Sequence, residues 1–126
     1  MIIGIGIDLV EISRIKKIIE NQGRFIYRIF TPREIALFPS NGLRRIEYIS
    51  GRFAAKEAFS KAAGTGIGRR CSWKDIEIIP DDSGKPYLWL SQEMIQKLSF
   101  TSRMKIHLSI SHGKQYAIAQ VILEDS

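Results

Sequence analysis

Hydrophobic and polar positions alternate with a period of two at the start of the chain. In Ile2-Ile-Gly-Ile-Gly-Ile-Asp-Leu-Val10, Ile3, Ile5 and Ile7 share one face, and Gly4, Gly6 and Asp8 share the other. This is strand periodicity, and we expect a buried strand with one carboxylate on its small-residue face. Two glycines weaken a strand, so their presence beside Asp8 implies room for something to approach closely. From Ser13 the period lengthens. Ile15, Ile18 and Ile19 fall on one side and Arg14, Lys16 and Lys17 elsewhere, which predicts a helix ending by Gly23. Thr31-Pro-Arg-Glu34 is a helix start, with Thr31 as N-cap, Pro32 in the first turn and Glu34 completing a capping box. That helix stops before Pro39. The longest helix is predicted over residues 43–63, closed by Gly64. Its Ala-rich centre favours it, and Gly51, costing up to about 1 kcal/mol inside a helix, points to close packing or a bend.

The second half of the chain changes period again. Residues 75–80 and 86–90 read as short strands joined by Asp81-Asp-Ser-Gly84. Ser91 caps a short helix to residue 98. Residues 105–111 alternate, with Ile106, Leu108 and Ile110 on one face and His107, Ser109 and Ser111 on the other. A turn at His112-Gly113-Lys114 leads into a last strand over residues 116–123. No internal repeat, low-complexity stretch or linker interrupts this order. With 126 residues, 44% of them hydrophobic, the chain has the size of one domain, 1–126, able to bury roughly two-thirds of its unfolded surface. Helices early, antiparallel strands late and one leading strand predict an α+β fold: an antiparallel sheet packed with one long helix and shorter ones.

Composition adds a compartment and charge adds a partner class. Cys71 is the single cysteine, which excludes an intramolecular disulfide and suits a reducing compartment. No run approaches the roughly eighteen apolar residues of a membrane span. The apolar start lacks a basic flank and contains Asp8, unlike a signal peptide, so a cytoplasmic protein with no membrane partner is expected. The net charge of +6 is uneven: residues 14–74 hold fourteen basic and four acidic side chains, and the remainder sums to −4. A segment this basic suggests an anionic partner, whether nucleic acid, a phosphorylated small molecule or an acidic protein, unless it is only a solvated surface.

Several residues can carry chemistry, each with a structural alternative. A carboxylate amid apolar strand residues needs a cation, a metal or a proton, so Asp8 is either a ligand or the partner of an arginine. Glu57 stands four residues before Lys61, the spacing of an ordinary helix ion pair. Joined to Asp8 it would instead supply the second carboxylate of a Mg²⁺ site completed by water and phosphates. Arg45, Arg52 and Lys56 form one stripe of the long helix, a phosphate grip or simply its wet side. Gly64-Thr-Gly-Ile-Gly68 follows a helix and lacks the Gly-Lys-Ser/Thr ending, so it is no P-loop; it reads as a C-cap whose amides could also meet a phosphate. His112, at a strand end after two face-sharing serines, reads as structural or solvent-facing. Cys71, beside Arg69 and Arg70, has a thiol open to a lowered pKa but no base arranged with it. Tyr27, Phe30 and Tyr48 would serve as stacking groups were this a nucleic-acid module, a reading that leaves Asp8 and Glu57 unexplained.

Three stretches together carry a family resemblance: Gly4-Ile-Gly-Ile-Asp-Leu-Val-Glu-Ile12, Gly51-Arg-Phe-Ala-Ala-Lys-Glu-Ala-Phe-Ser-Lys61 continuing through Gly64-Thr-Gly-Ile-Gly68, and Ser109-Ile-Ser-His112. With the smaller Gly84-Lys-Pro-Tyr87 they closely resemble the holo-acyl-carrier-protein synthases of the 4′-phosphopantetheinyl transferase superfamily. Residues 21–48 and 91–104 lie outside these matches. The resemblance implies transfer of 4′-phosphopantetheine from coenzyme A to a serine of apo-acyl carrier protein, releasing 3′,5′-ADP, in fatty acid biosynthesis. It implies Mg²⁺ held by Asp8 and Glu57, with Lys61 on the phosphates, and Arg52 and His112 (with Arg45 as a further candidate) at the 3′-phosphate end. Gly64 and the Lys85-Pro86 turn would line the adenine, and Arg14 would dock the acidic carrier. The family's homotrimer, with sites where subunits meet, and no nucleic-acid partner complete the expectation; a non-catalytic trimeric scaffold is the other alternative.

Overall fold

The computed structural model describes residues 1–126. The order is β1 (Ile2–Glu11), α1 (Ile12–Asn21), α2 (Phe25–Ile29), α3 (Pro32–Ala36), α4 (Gly42–Ala63), a 3-10 turn (Trp73–Asp75), β2 (Ile76–Pro80), β3 (Pro86–Leu90), α5 (Gln92–Lys97), β4 (Met104–His112) and β5 (Tyr116–Asp125). Strands pair antiparallel, as expected, in two sheets, β1–β5–β4 and β2–β3. In the larger sheet Gly6 lies opposite Val121 and Asp8 opposite Ala119. Ala117, Ala119, Val121 and Leu123 of β5 are buried on that same face, and α4 lies across it.

The glycines of β1 explain how α4 can lie so close. A Cβ on Gly6 would overlap the carbonyl oxygen of Ala58, and one on Gly4 that of Ala62. The object that approaches the small-residue face is therefore the long helix, not a ligand. The expected burial of β1 holds on one face only. Ile3, Ile5, Ile7 and Leu9 stand outward and are 49–59% exposed, because the face without side chains is the one that admits a helix backbone. On α4 itself, Gly51 makes room for β4: a Cβ there would stand 2.8 Å from Ile110 Cγ2. The expected close packing is met without invoking a bend.

The middle of α4 is buried nearly all round. Ala54, Ala55, Ala58, Phe59 and Ala62 join Ile76, Ile78, Leu88, Met94 and the inner side of β5 in one core. Ile15, Phe25, Ile29, Phe30, Phe38 and Ile49 form a second core. The α2 turn was not anticipated: Arg24 makes no side-chain cap, and the segment is helical because Phe25 and Ile29 are buried in that second core. The capping box of Thr31 and Glu34 and the left-handed Gly64 (φ 77°) after α4 are as the sequence predicts.

Candidate active site

Asp8 sits two residues beyond Gly6 on the helix-facing side of β1, so its carboxylate emerges where the β1–α4 seam opens. Lys61, on α4, donates to Asp8 Oδ1 at 2.9 Å and to the Ile7 carbonyl at 3.0 Å. The cation that balances Asp8 is thus a lysine and not one of the arginines. Glu57, one turn earlier on the same helix, is half-buried. Burial, and next the Asp8 carboxylate, push its pKa up, while Lys61 works against them. The plain helix pair of Glu57 with Lys61 is therefore not what forms: the lysine ammonium is bonded to Asp8.

Asp8, Glu57 and Lys61 open onto a cleft of about 550 Å³ between β1, α1 and α4, with Arg14 on the rim and Ile15, Ile18 and Phe53 as its apolar wall. Glu11 is exposed and also lines it. Phe53 is backed by Trp73, whose ring is stacked on it at 5.1 Å. Asp8 and Glu57 converge here from β1 and α4, and no three His, Cys, Asp or Glu side chains are grouped so that they could hold a metal ion together. That donor set fits Mg²⁺, which takes one or two carboxylates and fills its shell with water and phosphate oxygens. It does not fit zinc.

The remaining predicted residues lie elsewhere in the chain. Arg45 and Arg52 belong to the first half of α4, twelve and five residues before Glu57, about 18 and 8 Å along the axis. Arg45 Nη1 donates to the Pro39 carbonyl at 3.1 Å, and the Arg52 guanidinium lies 3.7 Å from the Tyr48 ring centroid. His112, at the end of β4, faces Glu47 with Nδ1 3.6 Å from Oε2. Gly64 caps the far end of α4, and Pro86 opens β3 opposite Pro80.

Three sequence expectations are corrected. Lys56 is neither wet nor a phosphate grip: it is fully buried, bonded to Glu34 Oε1 at 2.7 Å and to the carbonyls of Ile29 and Trp73. Glu34 in turn accepts from the Thr31 and Ile78 amides, so its capping role is half of its work. The Cys71 thiol is buried, and burial pushes its pKa up rather than down. Of the supposed stacking groups, Phe30 is fully buried and Tyr48 lies under Arg52; Tyr27 is the exposed one. Sequence reasoning missed Phe53 and offered Tyr48 only as a stacking group, although Tyr48 and Arg52 stand at the four-residue spacing that brings side chains together on a helix.

Residues 4–121 match the family model described as the 4′-phosphopantetheinyl transferase superfamily. The chain is 48% identical over 127 residues to the holo-[acyl-carrier-protein] synthase of Bacillus mycoides (strain KBAB4), covering 100% of this chain and 98% of that one. It is similar to a holo-(acyl-carrier-protein) synthase from Bacillus anthracis str. Ames solved in complex with CoA (3′,5′-ADP), with a TM-score of 0.84 and 47% identity over 100% of this chain and 99% of the other. The Helicobacter pylori holo-[acyl-carrier-protein] synthase, solved in complex with coenzyme A, gives a TM-score of 0.84 and 37% identity over 95% and 99% of the two chains.

Proposed function

The chain belongs to the 4′-phosphopantetheinyl transferase superfamily, among its holo-acyl-carrier-protein synthases, and from that premise we propose that Asp8, Glu57 and Lys61 form its transfer site. The reaction moves 4′-phosphopantetheine from coenzyme A to a serine of apo-acyl carrier protein and releases 3′,5′-ADP. The observation that carries the site is the meeting of two carboxylates and a lysine, from β1 and α4, in one cleft. Asp8 and Glu57 would hold Mg²⁺ there; when bound, the ion polarises the phosphoryl group and offsets its developing charge.

The chain's own groups divide the work. The serine oxygen forms a bond to the β-phosphorus as the bond to 3′,5′-ADP breaks. Glu57, in the same cleft, is placed to receive the serine proton, directly or through a water. Lys61, half-exposed at the cleft, stabilises negative charge on the departing phosphate. Arg14 on the rim meets the acidic carrier protein. Gly64 and Pro86 bound the adenine, and Arg45, Arg52 and His112 hold the 3′-phosphate.

Those last three residues stand apart from the cleft within one chain, which favours a homotrimer with sites completed between subunits. The outward face of β1 supports that assembly, because Ile3, Ile5, Ile7 and Leu9 with Ile118 of β5 make an apolar surface with nothing over it. The basic segment serves two anionic clients, coenzyme A and the carrier. No helix is long and apolar enough to cross a membrane, and the cytoplasm suits the free Cys71 thiol. A nucleic-acid module is disfavoured by the loss of Phe30 and Tyr48 as stacking groups. Incubation with apo-acyl carrier protein, coenzyme A and Mg²⁺ should raise the carrier's intact mass by one phosphopantetheine, and EDTA should prevent it. No gain with several acidic carriers would return Asp8 and Glu57 to structural roles.

A further inference from the structure

Three cations of α4 each lie over an aromatic ring: Arg45 over Phe38 at 5.4 Å, Arg52 over Tyr48 at 3.7 Å and Lys56 over Phe30 at 5.0 Å. The rings are themselves in contact. Phe30 meets Phe38 edge-on at 5.1 Å, and Phe38 meets Tyr48 at 5.7 Å. Phe30, fully buried, roots this ladder in the second core.

The three cations differ in what balances them. Lys56 is neutralised by Glu34. Neither Arg45 nor Arg52 has a carboxylate within salt-bridge distance, and the Arg52 Nε is buried with no hydrogen-bond partner. A carboxylate would orient an arginine and cancel its charge together. An aromatic face orients it and leaves the charge, and the in-plane N–H groups, for another anion. Burial depresses the Arg52 pKa, yet an arginine stays protonated throughout.

We propose that Tyr48, braced by Phe38, is a positioning residue that holds the Arg52 guanidinium flat and uncompensated for the 3′-phosphate of coenzyme A, and so sets the preference for coenzyme A over 3′-dephospho-coenzyme A. The inference rests on the reading of Arg52 as a phosphate contact given above. Tyr48 touches no reacting atom; it acts through Arg52. The ring is required and the hydroxyl is not.

The experiment measures kcat and KM with each donor for the parent, Arg52→Ala, Tyr48→Leu and Tyr48→Phe. Tyr48→Leu should raise KM for coenzyme A about tenfold, leave kcat and the dephospho-coenzyme A constants at parental values, and so narrow the preference. Tyr48→Phe should keep the parental preference. Tyr48→Met gives the same reading should the leucine variant not fold. Unchanged coenzyme A kinetics in the ringless variants, or an equal fall with both donors carried by kcat, overturns the proposal. The Arg52→Ala arm separates the two layers. If it narrows the preference and Tyr48→Leu does not, the positioning role alone fails; if it does not narrow it, the phosphate contact fails with it.

Discussion

At the scale of single residues, the same side chain weakens the fold and equips the site. Burial and the neighbouring Asp8 raise the Glu57 pKa, so the folded chain holds that proton more tightly than the unfolded one. The stability this contributes is present at low pH and is lost as pH rises through the raised pKa. Without Mg²⁺, Glu57→Gln should therefore melt higher than the parent at neutral pH, and this difference should vanish in acid. The same variant should lose transfer by about 10²-fold or more, read from carrier mass. Equal melting at both pH values would contradict the assigned strain. The meeting of Asp8 with Glu57 was legible because a carboxylate on the face of two strand glycines and an acidic residue in an alanine run both stand in the stretches that carry the family resemblance; that Lys61 bonds Asp8 was not. Lys56 was not legible. A helix lysine reads as solvated until its partner Glu34, 22 residues away, is known. The buried pair is fully hydrogen-bonded, so Lys56→Met, which leaves Glu34 charged and alone, should cost about 3–5 kcal/mol in urea unfolding.

Elements were legible where their ends carry chemistry and illegible where only packing makes them. The capping box of α3 and the glycine after α4 announce themselves, whereas α2 exists because its aromatic and aliphatic side chains are buried. The exposure of one face of β1, expected as a buried strand, has a related reason. Alternation tells which residues share a side, and apolar bulk ordinarily marks the inner one. Here the inner side is the one thin enough for a helix backbone. Gly6→Ala should accordingly destabilise by about 3 kcal/mol, as overpacking does, while Gly23→Ala, which meets nothing within 4 Å, should not. After α5, Ser99 adopts a left-handed φ of 51°, and the Phe100 amide bonds back to the Ile95 carbonyl. Ser99→Gly should stabilise the chain by about 1 kcal/mol, measurable by the same unfolding.

For the whole molecule, the outward isoleucines and the separated arginines make one prediction. Ile5→Lys places a charge on the exposed column without touching either core. It should shift the mass in solution from trimer to monomer by light scattering and reduce transfer with it; a monomeric parent would refute the assembly. Charge balance and strand–helix order gave the fold class and an anionic client from sequence. The exposure of the isoleucine column of β1 has no local signal, because a surface apolar column and a core one are spelled alike. The β1–α4 seam has a further consequence. Where a strand and a helix meet backbone to backbone, the spacing of the groups they carry is set by peptide units and not by side-chain shape. The two cores on either side can then be repacked for heat or cold tolerance while the carboxylates and the lysine keep their places, so thermal adaptation and catalytic tuning can proceed through different residues.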